Sequence, residues 1–194
     1  MNTTFSETDL KSGSLANHFL IAMPGLVDPN FSHTITYICE HSAEGAMGLV
    51  INHALPMQFE EVLEQMGIED HANVGGKEIL SGGPVQLGRG FVLHTSDKQW
   101  PSTMRIADDV FLTASRDILE DIANNCGPDR SLVILGYAGW EAGQLEREIA
   151  ENAWLTVPAD SRILFDTDTP QRWQAASDCV GVDLNLISSC AGHA

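Results

Sequence analysis

The sequence has no apolar run long enough to cross a bilayer. Its longest, such as Phe19 to Met23 and Gly48 to Ile51, fall far short of the roughly 20 residues that a spanning helix needs. Positive charge is also scarce: 10 Lys and Arg stand against 27 Asp and Glu, for a net charge of −17. The ten are scattered, with no basic run and no basic amphipathic helix. Phosphate-driven affinity comes from clustered cations that release counterions, so direct DNA or RNA binding is disfavoured. Anionic membrane surfaces are disfavoured for the same reason. The N-terminus, Met1-Asn2-Thr3-Thr4-Phe5-Ser6-Glu7, carries neither a basic region nor an apolar segment, and the expectation is a protein that stays in the cytoplasm.

Cysteines are few and dispersed. Cys39, Cys126, Cys179 and Cys190 form no Cys-x-x-Cys pair, and they are read as buried thiols rather than disulfide or metal partners. Cys190, near the C-terminus, is open to adventitious oxidation. Familiar catalytic signatures are missing as well. The sequence has no Gly-x-x-x-x-Gly-Lys-Ser/Thr loop, Gly-x-Ser-x-Gly elbow, His-Glu-x-x-His pair or EF-hand loop. No cofactor or metal is expected. Adjacent acids such as Glu60-Glu61 or Asp108-Asp109 are ordinary in so acidic a chain and carry no catalytic argument.

What is present is a chain that can build a core: 194 residues, 43% hydrophobic and 19% charged, a size that fits one domain. Residues 1–14 are polar and read as a mobile tail, which leaves 15–194 as a single domain. His18 to Ala22 reads as a buried strand. Thr34 to Glu40 and Met47 to Asn52 read as the two strands of a hairpin. Phe59, Val62, Leu63 and Met66 have helical spacing, with Gly67 as the stop. Strands follow around Ile79-Leu80, Gly90 to Thr95 and Val110 to Thr113. Ser115 then N-caps a helix with a stripe of Ile118, Leu119 and Ile122. Leu132 to Leu135 reads as a strand covered on both faces, Glu141 to Asn152 as a helix, and Trp154 to Val157 and Ile163 to Phe165 as strands. Thr169-Pro170 opens a last helix that turns Trp173, Ala176 and Val180 inward. About nine strands and four helices result. Several strands precede the second long helix, so this is not a doubly wound alternation but one domain on a mixed sheet.

The most informative stretch runs from Leu135 to Ile149. A strand is expected to end in the aromatic turn Gly136-Tyr137-Ala138-Gly139-Trp140 and to pass into a helix, a junction at which α/β proteins commonly bind ligands. Beside the buried stripe of Leu145 and Ile149, the residues Gln144, Glu148 and Asn152 form a polar row that can face a cleft or simply be a solvated flank. Tyr137, Trp140 and Asn52 are added as candidate contacts, although a tryptophan there is often a packing residue. Gly82 and Gly83 are candidates for close approach by a ligand or partner. Their plainer reading, like that of Gly88-Arg89-Gly90, is a tight backbone turn. Cys39 and His41 lie two apart, on one face of a strand, and His53 ends the neighbouring hairpin strand within reach of them, but hairpin-end histidines are more often surface or hydrogen-bonded residues than metal ligands.

These blocks resemble the bacterial YqgE/AlgH family over nearly the whole chain. The resemblance is carried by Leu20-Ile21-Ala22-Met23-Pro24, Cys39-Glu40-His41 and Glu44 to Asn52. It continues through Gly82-Gly83-Pro84-Val85, Gly90 to His94 and Thr113 to Asp117. Gly136 to Trp140, Gly143 to Glu146 and Asn152 to Leu155 are the most specific blocks, and Gly192-His193-Ala194 closes the match. The resemblance implies a compact α+β fold with a strongly bent, partly barrel-like sheet wrapped by helices. Some members carry the label of transcriptional regulator, and there are no agreed catalytic residues to carry across. The charge balance and the lack of a helix-turn-helix signature point away from direct DNA contact. The leading expectation is therefore a non-enzymatic regulatory or protein-interaction module with a protein partner, a basic one given the charge, or a small ligand. The alternative is a small-molecule-binding protein or enzyme with a pocket at Tyr137 to Trp140. Direct DNA binding ranks last.

Overall fold

A computed structural model describes residues 13–181 together with 183 and 184. Residues 1–12, Cys190 and the closing Gly192-His193-Ala194 lie outside them. The described residues form ten strands and five helices, the strands in a curled, half-barrel sheet. In sequence these are β1 (His18–Ala22), β2 (Ile35–Ser42), β3 (Gly45–Val50), β4 (Ala54–Gln58), α1 (Phe59–Met66), β5 (Glu78–Ser81) and β6 (Val85–His94). Then come β7 (Thr103–Ala107), β8 (Val110–Thr113), α2 (Arg116–Ala123), β9 (Ser131–Glu141), α3 (Gln144–Ala150), β10 (Trp154–Pro158), α4 (Ser161–Phe165) and α5 (Arg172–Val180). The sheet order is β10-β1-β2-β3-β9-β6-β8-β7, with β5 also on β9 and β4 on β5, and all pairings are antiparallel except β5 on β9.

β9 is the hinge of the sheet. Its first half pairs with β6 on one edge and β5 on the other, and its last four residues pair with β3. Gly136, at φ 73°, supplies a kink that few other residues adopt. The expected aromatic turn is therefore a bent but continuous strand, because the backbone on both sides of the kink still finds ladder partners. The helix that follows starts correspondingly late, after Gly143 turns the chain at φ 72°.

Strand alternation divides the apolar side chains between two faces. Phe19, Ile21, Ile35, Tyr37, Phe91, Leu93 and Ile134 point into the curl, where Ile163 and Leu164 of α4 and Trp173 and Ala176 of α5 fill it. The outer face is covered in two places. α3 packs over Leu20, Ala22, Ile38, Ala138, Trp140 and Trp154, while α1 and α2 cover Ile79, Val92 and Val133.

The expected strand at Ile163 to Phe165 is instead the helix α4. A run of three apolar residues does not distinguish the two, and the Asp160 carboxylate accepting from Arg162 N at 2.8 Å starts a helix. Two short, half-exposed strands, β4 and β7, carry only two core-facing apolar residues each, Leu55 and Met57 in one and Met104 and Ile106 in the other, too brief an alternation to stand out in the sequence. Of the cysteines, Cys39 is buried, but Cys126 and Cys179 are exposed. They sit just past the C-terminus of α2 and near the end of α5, where the helices have already turned their buried stripes away. No helix among the described residues is long and apolar enough to cross a membrane.

Candidate functional site

Gln144 and Glu148, one turn apart on α3, do meet. Gln144 Nε2 donates to Glu148 Oε1 at 2.8 Å, and Gln144 Oε1 accepts from the Glu141 N–H at 3.0 Å. The second carboxylate oxygen, Glu148 Oε2, accepts from Trp140 Nε1 at 3.0 Å and Trp154 Nε1 at 2.9 Å. The two indoles pack edge to face, 6.2 Å apart, over the outer core. Three of the predicted residues thus converge, but on one another: their polar atoms are used to seal a tryptophan pair. Asn152 lies past the end of α3, exposed, at φ 58°. It serves the turn into β10, with its N–H on Ile149 O at 3.0 Å.

Gly82 and Gly83 are approached closely, though by the chain itself. A Cβ on Gly82 would lie 2.3 Å from Gly136 O, and one on Gly83 would lie 2.4 Å from the Tyr137 carbonyl. Gly82 also accepts from Val50 N at 2.9 Å and donates to Leu135 O at 2.8 Å. The pair therefore knits β3 and β5 to the kink of β9. Asn52 joins strand ends in a similar way: its Oδ1 accepts from Ile35 N at 3.0 Å and its Nδ2 donates to His33 O at 2.9 Å.

The hairpin histidine and thiol are engaged locally. His41 Nδ1 accepts from Leu15 N and Nε2 donates to Glu146 Oε1, both at 2.9 Å. The Cys39 Sγ is buried and lies 3.8 Å from Tyr37 O, and burial pushes its thiol pKa well up. His53 lies by a small depression beside Gly83 and Leu87, and its pKa is lowered by burial. Among the described residues no three His, Cys, Asp or Glu side chains come together as a ligand set for a metal ion.

Tyr137 separates from Trp140 by strand parity. Trp140 and Ala138 point to the outer face, and Tyr137 points inward, its ring edge-on to Phe91 at 6.0 Å. There it borders a cleft of about 370 Å³ floored by Met47, Phe91, Met104 and Leu112 and edged by Glu40 and Arg89. Sequence reasoning missed Glu40 and Arg89. Arg89 lies on a four-residue bulge, Gln86–Arg89, opposite Gly136 of β9. The glycines flanking Arg89 were the available signal.

A second cleft, of about 320 Å³, opens on the other face between α1 and α2. Met57, Val62, Met66, Leu119 and Leu135 line it, and Ser115 and Arg116 stand at the α2 end. Ser115 occupies the N-cap position in extended conformation, yet its hydroxyl makes no capping bond. Its Oγ is buried without a hydrogen-bond partner among the described residues. Arg116 pairs with Glu120 at 3.2 Å. The sequence offered no sign of this cleft, because its lining comes from five segments that each read as ordinary core.

Comparison with known proteins places this geometry in a family. The family described as AlgH-like matches residues 19–185. A UPF0301 protein of Saccharophagus degradans is 56% identical over 93% of this chain and 89% of its own. One of Thioalkalivibrio sulfidiphilus is 57% identical over 94% and 98%. The solution structure of the AlgH protein from Pseudomonas aeruginosa superposes with a TM-score of 0.78 at 49% identity, covering 95% of this chain and all of that one. A Corynebacterium diphtheriae protein shares the fold alone, at 19% identity and a TM-score of 0.70. The chain belongs to the AlgH-like family.

Proposed function

We propose that the protein is a cytoplasmic, non-catalytic interaction module that holds an apolar anchor of a basic partner protein in the α1–α2 cleft. The observation that carries the reading is the cleft itself: a preformed, largely apolar slot between two helices, with methionines at its lip. Met66 at that lip is 38% exposed. Methionine suits such a surface because its unbranched thioether adapts to different partners. The helices that wall the slot carry Glu60, Glu61, Glu64, Asp117, Glu120 and Asp121 against Arg116 alone. An amphipathic helix with apolar anchors and flanking lysines or arginines complements both features. Burying one such anchor contributes about 1.5–3 kcal/mol. Any regulatory role then runs through the partner.

Fluorescence anisotropy with two synthetic amphipathic helices of identical apolar spacing tests this, one with lysines and one with glutamates on its polar face. The lysine peptide should bind, weaken with added salt, and lose at least about tenfold in affinity to Met66→Glu, which alters the lip without emptying the core. Equal binding of both peptides, no binding, or indifference to Met66→Glu would sink the reading.

A further inference from the structure

The inner cleft at Tyr137 holds two opposite charges that do not pair with each other. Arg105, Arg116, Arg130 and Arg162 each lie against a carboxylate. Among the described residues Arg89 has no such partner, although acidic residues outnumber basic ones 27 to 10 in the sequence. Its guanidinium stacks on Phe91, with Cζ 5.1 Å from the ring centroid. Its hydrogen bond goes to the neutral Gln86 Oε1, at 3.4 Å. Stacking of this kind fixes the plane of the fork and leaves donors free for a planar carboxylate.

Glu40 reaches the same cleft through an irregularity of the sheet. The β2–β3 register skips between Ile38 and Glu40, so that Cys39 is the extra residue and Glu40 stands opposite Met47. A bulge re-aims the side chains that follow it, and here it brings a carboxylate to the mouth of an apolar floor. The Glu40 carboxylate makes no hydrogen bond or ion pair among the described residues, and neither does the Tyr137 hydroxyl.

We infer that this cleft binds a free α-amino acid with an apolar side chain. Arg89 and the Tyr137 hydroxyl take its carboxylate and Glu40 takes its ammonium. The side chain lies on Met47, Phe91, Met104 and Leu112. A ligand with one charge satisfies one rim group and partly desolvates the other, whereas a zwitterion answers both. The volume of about 370 Å³ is near the small end of ligand sites, which run from about 300 to 1,000 Å³. That size excludes large cofactors. This site is on the opposite face of the sheet from the partner cleft and does not depend on it.

Isothermal titration at low salt tests the assignment with phenylalanine, leucine and methionine beside three truncated probes. Glycine lacks the side chain, 3-phenylpropionate lacks the amine and phenethylamine lacks the carboxylate. The amino acids should bind, with each truncated probe about tenfold weaker or worse. Arg89→Gln should weaken phenylalanine and phenylpropionate but leave phenethylamine unchanged, and Glu40→Gln should do the reverse for the two single-charge probes. Both side chains are at the surface, so the folded protein survives the changes. Met66→Glu should leave amino-acid binding intact, which keeps this test separate from that of the partner cleft. No binding of any of the three amino acids at millimolar concentration overturns the inference. So does phenylpropionate or phenethylamine binding as tightly as phenylalanine.

Discussion

One carboxylate oxygen, Glu148 Oε2, lies between the indole nitrogens of Trp140 and Trp154, at 3.0 and 2.9 Å. The tryptophans belong to β9 and β10, which stand four places apart in the sheet order. α3 therefore acts as a clasp across the outer face, with Leu145 as its apolar anchor and Glu148 as its polar one. Replacing Glu148 by Leu leaves two indole N–H groups without an acceptor in a half-buried site. An unsatisfied buried donor costs about 1–3 kcal/mol, so Glu148→Leu should lower unfolding stability by about 2–4 kcal/mol. Glu148→Gln keeps one carbonyl acceptor and should cost less. Urea denaturation midpoints measure both, and equal midpoints for wild type and Glu148→Leu would show that water replaces the carboxylate.

The kink of β9 makes a sharper prediction. Gly83, at φ 147°, faces the Tyr137–Ala138 peptide, so a Cβ there would sit 2.4–2.5 Å from three backbone atoms. Gly83→Ala must push β5 off β9 or abandon the left-handed backbone, and should cost more than about 3 kcal/mol. Gly25→Ala is the control: nothing lies within 4 Å of its Cβ position, and the loss of unfolded-chain entropy should leave it neutral or slightly stabilising. Thermal melts of the two variants should differ widely. Similar melting temperatures would mean that the crossing is looser than the geometry states.

These glycines also show what a sequence can and cannot reveal. Gly82 and Gly83 are legible as a place where something comes close, but not that the visitor is the chain's own strand. The period of two in Ile35, Tyr37 and Cys39 reports a strand, and the structure buries both of its faces as far as Cys39. The same rule, carried through Gly136 to Trp140, would have split Tyr137 from Trp140, had the segment been read as strand rather than turn. The Gln144–Glu148 row was visible from its spacing, whereas its partners Trp140 and Trp154 come from two separate strands. Glu40 and Arg89 owe their placement to a bulge and a four-residue excursion. Neither leaves a periodic trace, and the glycines flanking Arg89 are the one local mark of either. Both clefts are assembled from distant segments in the same way.

His41 ties the start of the domain to the sheet. Its Nδ1 accepts from Leu15 N while its Nε2 donates to Glu146, and Ser14 Oγ donates to its carbonyl at 3.2 Å. His41→Ala removes the first two bonds together. Hydrogen exchange at the Leu15 amide should accelerate by at least about tenfold, with amides of β6 and β9 unchanged, because the loss is local rather than global. Acceleration spread evenly over the sheet would indicate instead that His41 supports the whole fold.

Acid should weaken the protein through His94, which is fully buried between a stacked Phe111 ring and the edge of Trp100. Trp100 N donates to Thr103 Oγ1 at 3.1 Å, Thr103 and Thr113 share a hydrogen bond at 2.7 Å, and Thr113 Oγ1 lies 2.8 Å from His94 Nε2. The chain of hydroxyls runs most simply from Trp100 toward the imidazole, with Nε2 as the final acceptor, which requires a neutral ring. Burial lowers the pKa from the ordinary 6.5 to about 4. A base with a depressed folded pKa contributes stability that is complete above the unfolded value. That stability is lost as the pH falls from about 6.5 to about 4, and it amounts to about 3 kcal/mol. Asp121, held below the usual carboxylate range chiefly by its hydrogen bond from Lys98, adds a loss of the same sign at the acid end, so wild type alone cannot isolate the histidine. The comparison with His94→Gln can, since the amide keeps a bond to Thr113 but does not titrate. Between pH 6.5 and 4 the denaturation free energy of the variant should fall less steeply than that of wild type. Parallel curves would show that His94 meets protons as easily in the folded chain as in the unfolded one.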